Sequence, residues 1–291
     1  MNRPHRFSNA ASEKYWERKR AQGFLPRGYI DGLTLSNDGT DATNDLVIAD
    51  GVCRSTVSIV DGNASTSNRD QLDLEIPVSI IKQLDVLFAP SNYDGAGIDG
   101  GTRSGMLSST SITDTTWHIH VVGKRGEPSE ILAHNTFTQA SILSEMQKIG
   151  GYTAYRNIGS IIRATSIKPF AQDGDEFLWK VAIADKSGAS ISTSAALIAL
   201  TVPTGVKVRA LFSAGADNGS GSVLFTSPDQ TDSATTLSTI YSYAQNAATA
   251  AFTPHFPLRT DTSGQIRVVA NGAVTYDVVT HGFIHPRGRN A

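Results

Sequence analysis

Short runs of β-branched residues in alternating positions, broken by Asp-Gly and Asn-Gly pairs, constrain the fold of this chain more than any other feature. The runs fill most of the sequence after residue 28, as in LVIADGVCRSTVSIVDGN, TTWHIHVVG and VVANGAVTYDVV. Val, Ile and Thr at every second position suit a pleated strand with one buried face, and the Gly-containing pairs are typical of tight turns. The pattern predicts a mainly β protein of antiparallel strands.

The strand-rich sequence divides at a polar cluster, AQDGDEFLWK, near residue 173. Asp and Gly in such a cluster are typical of a connection between folded units. We therefore expect two antiparallel β-sandwich domains, jelly-roll-like in type, over residues 28–172 and 173–291. Within the second, Asn271-Gly272 lies between two alternating runs and predicts a two-residue hairpin turn.

Residues 1–27 differ from the rest, because the stretch NAASEKYWERKRAQG favours a short helix. Ser8 or Asn9 suits an N-cap, Glu13 lies in the first turns and Gly23 follows the last. The 27 residues carry a charge of about +5, which leaves about −7 for the remainder of a chain with a formal charge of −2. The basic residues are Arg3, Arg6, Lys14, Arg18, Lys19, Arg20 and Arg27.

The basic helical segment is predicted to be an arm that anchors the protein to another chain. Tyr15 and Trp16 could bury aromatic area in a groove of a neighbouring subunit, with Arg18, Lys19 and Arg20 paired to carboxylates at its rim. Two alternatives stay open: the helix packs on its own domain, or it contacts nucleic acid. The second is disfavoured because the acidic body would repel a polyanion.

Histidine and cysteine positions give weak indications of a metal site. His118 and His120 share one face of the strand in TTWHIHVVG, and Trp117 lies on the other. A single His-x-His pair favours exposed strand histidines over metal ligands. Cys53 is the only cysteine, so the chain forms no intrachain disulfide and no Cys-pair zinc site. No metal and no cofactor are predicted.

Catalytic motifs are missing from the sequence. It contains no Gly-x-Ser-x-Gly elbow, no His-Glu-x-x-His and no phosphate-binding loop, and its acidic loops do not fit the twelve-residue calcium loop. It also shows no repeat of the length that builds a polysaccharide-degrading β-helix. We therefore predict that the protein is not an enzyme.

Two pairs of tyrosines could form aromatic platforms for a sugar. Tyr152 and Tyr155 in GYTAYRN, and Tyr241 and Tyr243 in IYSYAQ, would point the same way in an extended chain. The spacing favours burial in the core or in an interface, with contact to a host surface glycan or a protein partner as the alternative.

Six segments resemble, in this order, segments of tail-fibre and related virion proteins of tailed bacteriophages, and together they span roughly residues 28–291. They are GYIDGLTLSNDGTDATNDLVIADGVCRS, GGYTAYRNIGSIIR, FAQDGDEFLW, LTVPTGVKVRALF, TSGQIRVV and VVTHGFIHPRGRN. The resemblance implies a structural virion component that contacts other virion proteins, forms a homotrimer and contributes to host attachment.

The resemblance leaves the position on the virion open. A tail location is preferred, and a fibre or decoration protein on the capsid surface, or a carbohydrate-binding receptor module, is the alternative. Since the sequence has neither a signal-peptide pattern nor an apolar run of membrane-spanning length, we expect assembly into virions in the host cytoplasm without membrane insertion.

Overall fold

The computed structural model describes residues 25–67, 69–88, 105–217, 223–231 and 257–289. Over these residues the protein is mainly β, which confirms the predicted fold class. The strands form two groups by their pairing, and one helix, α1 (Gln139–Gly150), lies in the first group. The predicted helical arm, with Tyr15, Trp16, Arg18, Lys19 and Arg20, falls almost wholly outside the described residues.

The first group builds two sheets, one with the order β1-β4-β7 and one with the order β2-β3-β8-β9-β11-β10-β12-β5-β6, with β13 paired to β12. Most pairings are antiparallel, but β9 pairs in parallel with β8 and β11. Its strands are β1 (Ile30–Gly32), β2 (Leu35–Asn37), β3 (Asp45–Ile48), β4 (Gly51–Arg54), β5 (Val57–Val60), β6 (Asn63–Ser65), β7 (Asp73–Ile76), β8 (Ile80–Leu87), β9 (Gly105–Leu107), β10 (Thr116–Gly123), β11 (Glu130–His134), β12 (Ala154–Ala164) and β13 (Ser166–Ile167).

The second group builds a sheet with the order β14-β15-β21-β17-β19 and a smaller one with the order β16-β20-β18. All of its pairings are antiparallel. Its strands are β14 (Phe170–Asp173), β15 (Glu176–Ile191), β16 (Ala196–Ala199), β17 (Arg209–Asp217), β18 (Val223–Thr226), β19 (Leu258–Arg259), β20 (Gln265–Ala270) and β21 (Val274–Ile284).

The two groups share one hydrophobic core. Trp117 and Ile158 of the first group and Phe177 and Phe283 of the second belong to the same cluster of buried side chains. The first group of strands ends at Ile167 and the second begins at Phe170. The polar cluster at residue 173 forms the turn of the hairpin in which β14 pairs with β15. Hydrogen bonds and apolar contacts therefore continue across the position where the sequence suggested a domain boundary.

Gly159 on β12 makes the close contact between the groups possible. A Cβ atom at this position would lie 2.8 Å from Cδ1 of Leu35 and 3.0 Å from Cζ of Phe177. Phe177 in turn stacks on Phe283, with ring centroids 4.9 Å apart. The missing side chain thus lets the second group approach the sheet of the first.

The predicted hairpin at Asn271-Gly272 is wrong. The strands on either side of this pair lie in different sheets: β20 pairs with β16 and β18, whereas β21 pairs with β15 and β17. The Asn-Gly pair therefore connects the two sheets of the second group. Local turn chemistry could not reveal this, because longer-range strand partners compete for the same backbone groups.

In the sequence SILSEMQKIGG, Ile142, Met146 and Ile149 stand at i, i+4 and i+7, a spacing that predicts a short amphipathic helix, and α1 forms there. Thr138 caps its N-terminus by accepting a hydrogen bond from the backbone N–H of Ser141, and Gly151 ends it in the left-handed conformation. Its buried side chains cover Val122 of β10 and Leu132 of β11. No helix among the described residues is long and apolar enough to cross a membrane.

Candidate functional site

Two histidines and a serine form a buried hydrogen-bonded chain between the two groups of strands. Ser160 on β12 lies directly opposite His118 on β10, and its Oγ is 2.8 Å from Nδ1 of His118. On its other side, the same Oγ is 2.9 Å from Nε2 of His285, which follows β21. All three side chains are buried, so this chain joins the C-terminal segment to the main sheet without contact with solvent.

The hydrogen bonds of His285 fix the tautomer of its ring. The backbone N–H of Arg287 donates to Nδ1 of His285, which must therefore be unprotonated. The neutral ring then carries its proton on Nε2 and donates to Ser160, whose Oγ also shares a hydrogen bond with Nδ1 of His118. Burial is the main cause that lowers the pKa of His285 well below its usual value and that of His118 to about 3, so both rings are neutral at physiological pH.

His120 lies beside this chain, and neither of its ring nitrogens has a hydrogen-bond partner. It is 0 % exposed, and burial lowers its pKa well below the usual value. The ring packs against Phe137, with centroids 6.2 Å apart, and edge-on against Tyr155 at 5.6 Å. Burial of an imidazole without a hydrogen-bond partner is unfavourable, so His120 lowers the stability of the folded protein.

The prediction that His118 and His120 are exposed strand histidines is wrong. One face of β10 packs on the core, as expected, but the other is covered by Phe137 and by the loop around Gly205. A Cβ atom at Gly205 would lie 2.9 Å from Nε2 of His118, and the glycine has a φ of +83°. The face that was expected to meet water is therefore closed by segments remote in sequence.

Two arginines bind the C-terminal segment to distant parts of the backbone. The guanidinium of Arg287 donates to the carbonyl oxygens of Ile158, Gly174, Gly32 and Leu33, over N···O distances of 2.6–3.1 Å. The side chain is buried, and burial lowers its pKa to about 10. The residue itself has a φ of 43°, an unusual conformation for a residue with a side chain, which these contacts stabilise.

Arg156 on β12 makes the second set of backbone contacts. It donates to the carbonyl oxygens of Arg287, Arg54 and Gly28, at 2.7, 3.3 and 3.1 Å. We call Arg156 and Arg287, with the carbonyl groups they bind, the arginine clamp. The clamp holds residues 28–33 and 285–289 against β12 and therefore brings the two ends of the described chain together.

The glycan platform considered for Tyr152 and Tyr155 is not present, and the favoured alternative, burial in the core, is what the structure has. These side chains are 5 % and 7 % exposed, because α1 covers them with Ile142 and Met146. Burial raises the pKa of Tyr155 to about 12. The two tyrosines are core residues and cannot offer a flat surface to a sugar. Tyr241 and Tyr243 lie outside the described residues.

Sequence reasoning did not identify the central residues of this site. These residues lie in segments noted only for their resemblance to phage proteins: Arg156, Ser160, His285 and Arg287. The basic run HPRGR, which directly follows strand sequence, is the one local signal for this site. In the part of the chain that the structure describes, no group of three His, Cys, Asp or Glu side chains is arranged to hold a metal ion.

Comparisons of this chain with protein-family models, curated proteins and solved structures found no match. The polar groups of the site hold remote chain segments together.

Proposed function

We propose that this chain is a structural, non-catalytic component of a tailed bacteriophage virion, associated with the tail and assembled as a homotrimer. The arginine clamp is the observation that carries the structural part of the proposal. Buried Arg and His side chains, which an enzyme would direct at a substrate, here donate to or accept from the protein's own backbone and Ser160. The resemblance of its segments to phage fibre proteins supports the virion part.

The clamp also supports an anchoring role for residues 1–27. Gly28 lies against the backbone of Arg289 and is held by Arg156. A segment that leaves the body at Gly28 starts from a fixed point, so force on it is transmitted directly to the main sheet. Since the segment is basic and the body acidic, the arm is matched by charge to a second copy of the body or to another acidic virion protein.

Charge reversal in the arm tests the proposal. Changing Arg18, Lys19 and Arg20 together to Glu should greatly reduce incorporation into particles while leaving the melting temperature nearly unchanged, because exposed charges contribute little to stability. The matched control changes three exposed basic residues of the body by the same total charge: Arg69, Arg125 and Lys180. Equal incorporation of both variants would contradict the anchoring role.

Two further measurements test assembly and location. Light scattering on the purified chain should give the mass of three copies, and a monomer at virion-like concentrations would oppose the trimer. Immunogold labelling of intact particles should place the protein on tails. Labelled capsids with bare tails would reassign it to the capsid surface.

A further inference from the structure

The contacts that hold residues 285–289 differ in their sensitivity to pH. The guanidinium groups of Arg156 and Arg287 stay charged throughout the neutral and acidic range. The charge of His285 depends on pH in this range, because an exposed histidine takes up a proton near pH 6.5. Acidification should therefore act on the histidine contacts and leave the arginine donors unchanged.

His285 can perform its role only as a neutral ring. Its Nδ1 accepts from the backbone N–H of Arg287 over 2.9 Å, and a proton on Nδ1 would set two donors against each other. The positive charge of the Arg287 side chain also disfavours a cationic ring. The carboxylate of Asp175 binds Arg289 at 2.7 Å and lies 3.7 Å from Arg287, so its charge is already compensated.

The neighbouring rings face the same restriction. Besides one another, the titratable groups that face His118, His120 and His285 are His134 from β11, Tyr155 from β12 and Arg287. Each of these groups is neutral or positive. A proton taken up by any of the three rings would therefore be a buried charge without a counter-ion, between the two groups of strands.

We propose that His118, His120 and His285 form an acid-sensitive latch, which holds residues 285–289 against the first group of strands at neutral pH and releases them when the rings take up protons. When the latch opens, water reaches the rings and their pKa returns to about 6.5. Opening therefore binds protons. The latch is fully stable above pH 6.5 and weakens as the pH falls below this value, by about tenfold per pH unit for each ring that takes up a proton.

The single cysteine supplies a probe of opening. Cys53 on β4 is 0 % exposed, and it lies close enough to the arginine clamp to affect the pKa of both Arg156 and Arg287. Its reaction with 4,4′-dithiodipyridine, a disulfide that also reacts in acid, can be timed between about pH 6.5 and 5, where few carboxylates titrate. The protection of Cys53 is the factor by which its reaction is slower in the folded protein than in the urea-unfolded chain at the same pH. Far-UV circular dichroism measures the strand content in parallel.

We expect the protection of Cys53 to fall more than tenfold per pH unit in this range, while the β signal persists. His120→Phe keeps a ring against Phe137 but removes a titrating group. The loss of Cys53 protection per pH unit should therefore be about tenfold smaller in this variant than in the unchanged protein. His285→Gln should decrease it similarly. His281→Gln is the control, because His281 contacts Ser213 at a half-buried site on β21, outside the latch.

Three results would overturn the latch. They are protection that does not change with pH, a control variant that alters the loss of protection per pH unit as much as His120→Phe, and protection that is lost only together with the β signal. If His285→Gln does not fold, the comparison of His120→Phe with His281→Gln still decides the question.

Discussion

Arg287→Ala should destabilise the protein strongly, because this one side chain connects three separate parts of the backbone. The substitution removes four hydrogen bonds, to the carbonyl groups of Ile158, Gly174, Gly32 and Leu33. At about 1.5 kcal/mol for each bond from a charged donor, these bonds contribute about 6 kcal/mol.

Burial of the guanidinium opposes this gain. The pKa of Arg287 is lowered from 12.5 to about 10, which indicates a cost of about 3 kcal/mol for holding the charge inside the protein. We therefore expect Arg287→Ala to lower the free energy of unfolding by about 3 kcal/mol. In a chain of this size that loss corresponds to a fall in Tm of roughly 6–12 °C.

The measurement is urea unfolding followed by tryptophan fluorescence, since Trp117 and Trp179 are buried near the junction. Arg289→Ala is the matched control: Arg289 lies two residues away, is 38 % exposed and binds Asp175 at the surface. Its removal should cost about 1 kcal/mol or less. If the two variants unfold within 1 kcal/mol of each other, the clamp is not a main source of stability.

Other substitutions test the packing and the chain ends. Gly159→Ala should cost about 1–3 kcal/mol in urea unfolding, because its Cβ meets Leu35 and Phe177, whereas Gly215→Ala, on β17 with no neighbour within 4 Å, should be tolerated; equal effects would argue against close packing at β12. Deletion of residues 1–24 should leave a folded body by circular dichroism, but deletion of residues 1–33 removes β1 and three carbonyl groups of the clamp and should prevent cooperative unfolding. Tyr155→Ala should lower stability by about 3 kcal/mol, as for a core aromatic, and a stable variant would mean that Tyr155 is not part of the core.

Local patterns predicted the parts of the fold that depend on neighbours in sequence. The period-2 runs correctly indicated strands, and the spacing of Ile142 and Met146 correctly indicated α1, because burial of one face imposes that spacing. The Asn271-Gly272 pair did not predict the strand pairing correctly, because the pairing depends on residues that are remote in sequence. A turn residue fixes only the bend of the chain, and the choice of strand partner depends on which sheets form around it.

The candidate site shows the same limit. That His118 and His120 share a face followed from the pleat of a strand, but their burial depends on Phe137 and Gly205, which approach from other parts of the chain. Arg287 likewise donates to Gly32 and Leu33, more than 250 residues away in sequence. Alternation within a segment carries no information on such contacts.

The sequence by itself determined that this protein is built from β strands, where α1 lies and how charge is divided between the first 27 residues and the rest. These properties follow from side-chain periodicity and composition, which act over a few neighbouring residues. Only the tertiary structure decided that His118, Ser160 and His285 form one buried chain, that Tyr152 and Tyr155 belong to the core and that the ends of the described chain meet at Arg156. Those outcomes depend on which remote segments exclude water from the same volume, and burial of that kind is a property of the whole fold.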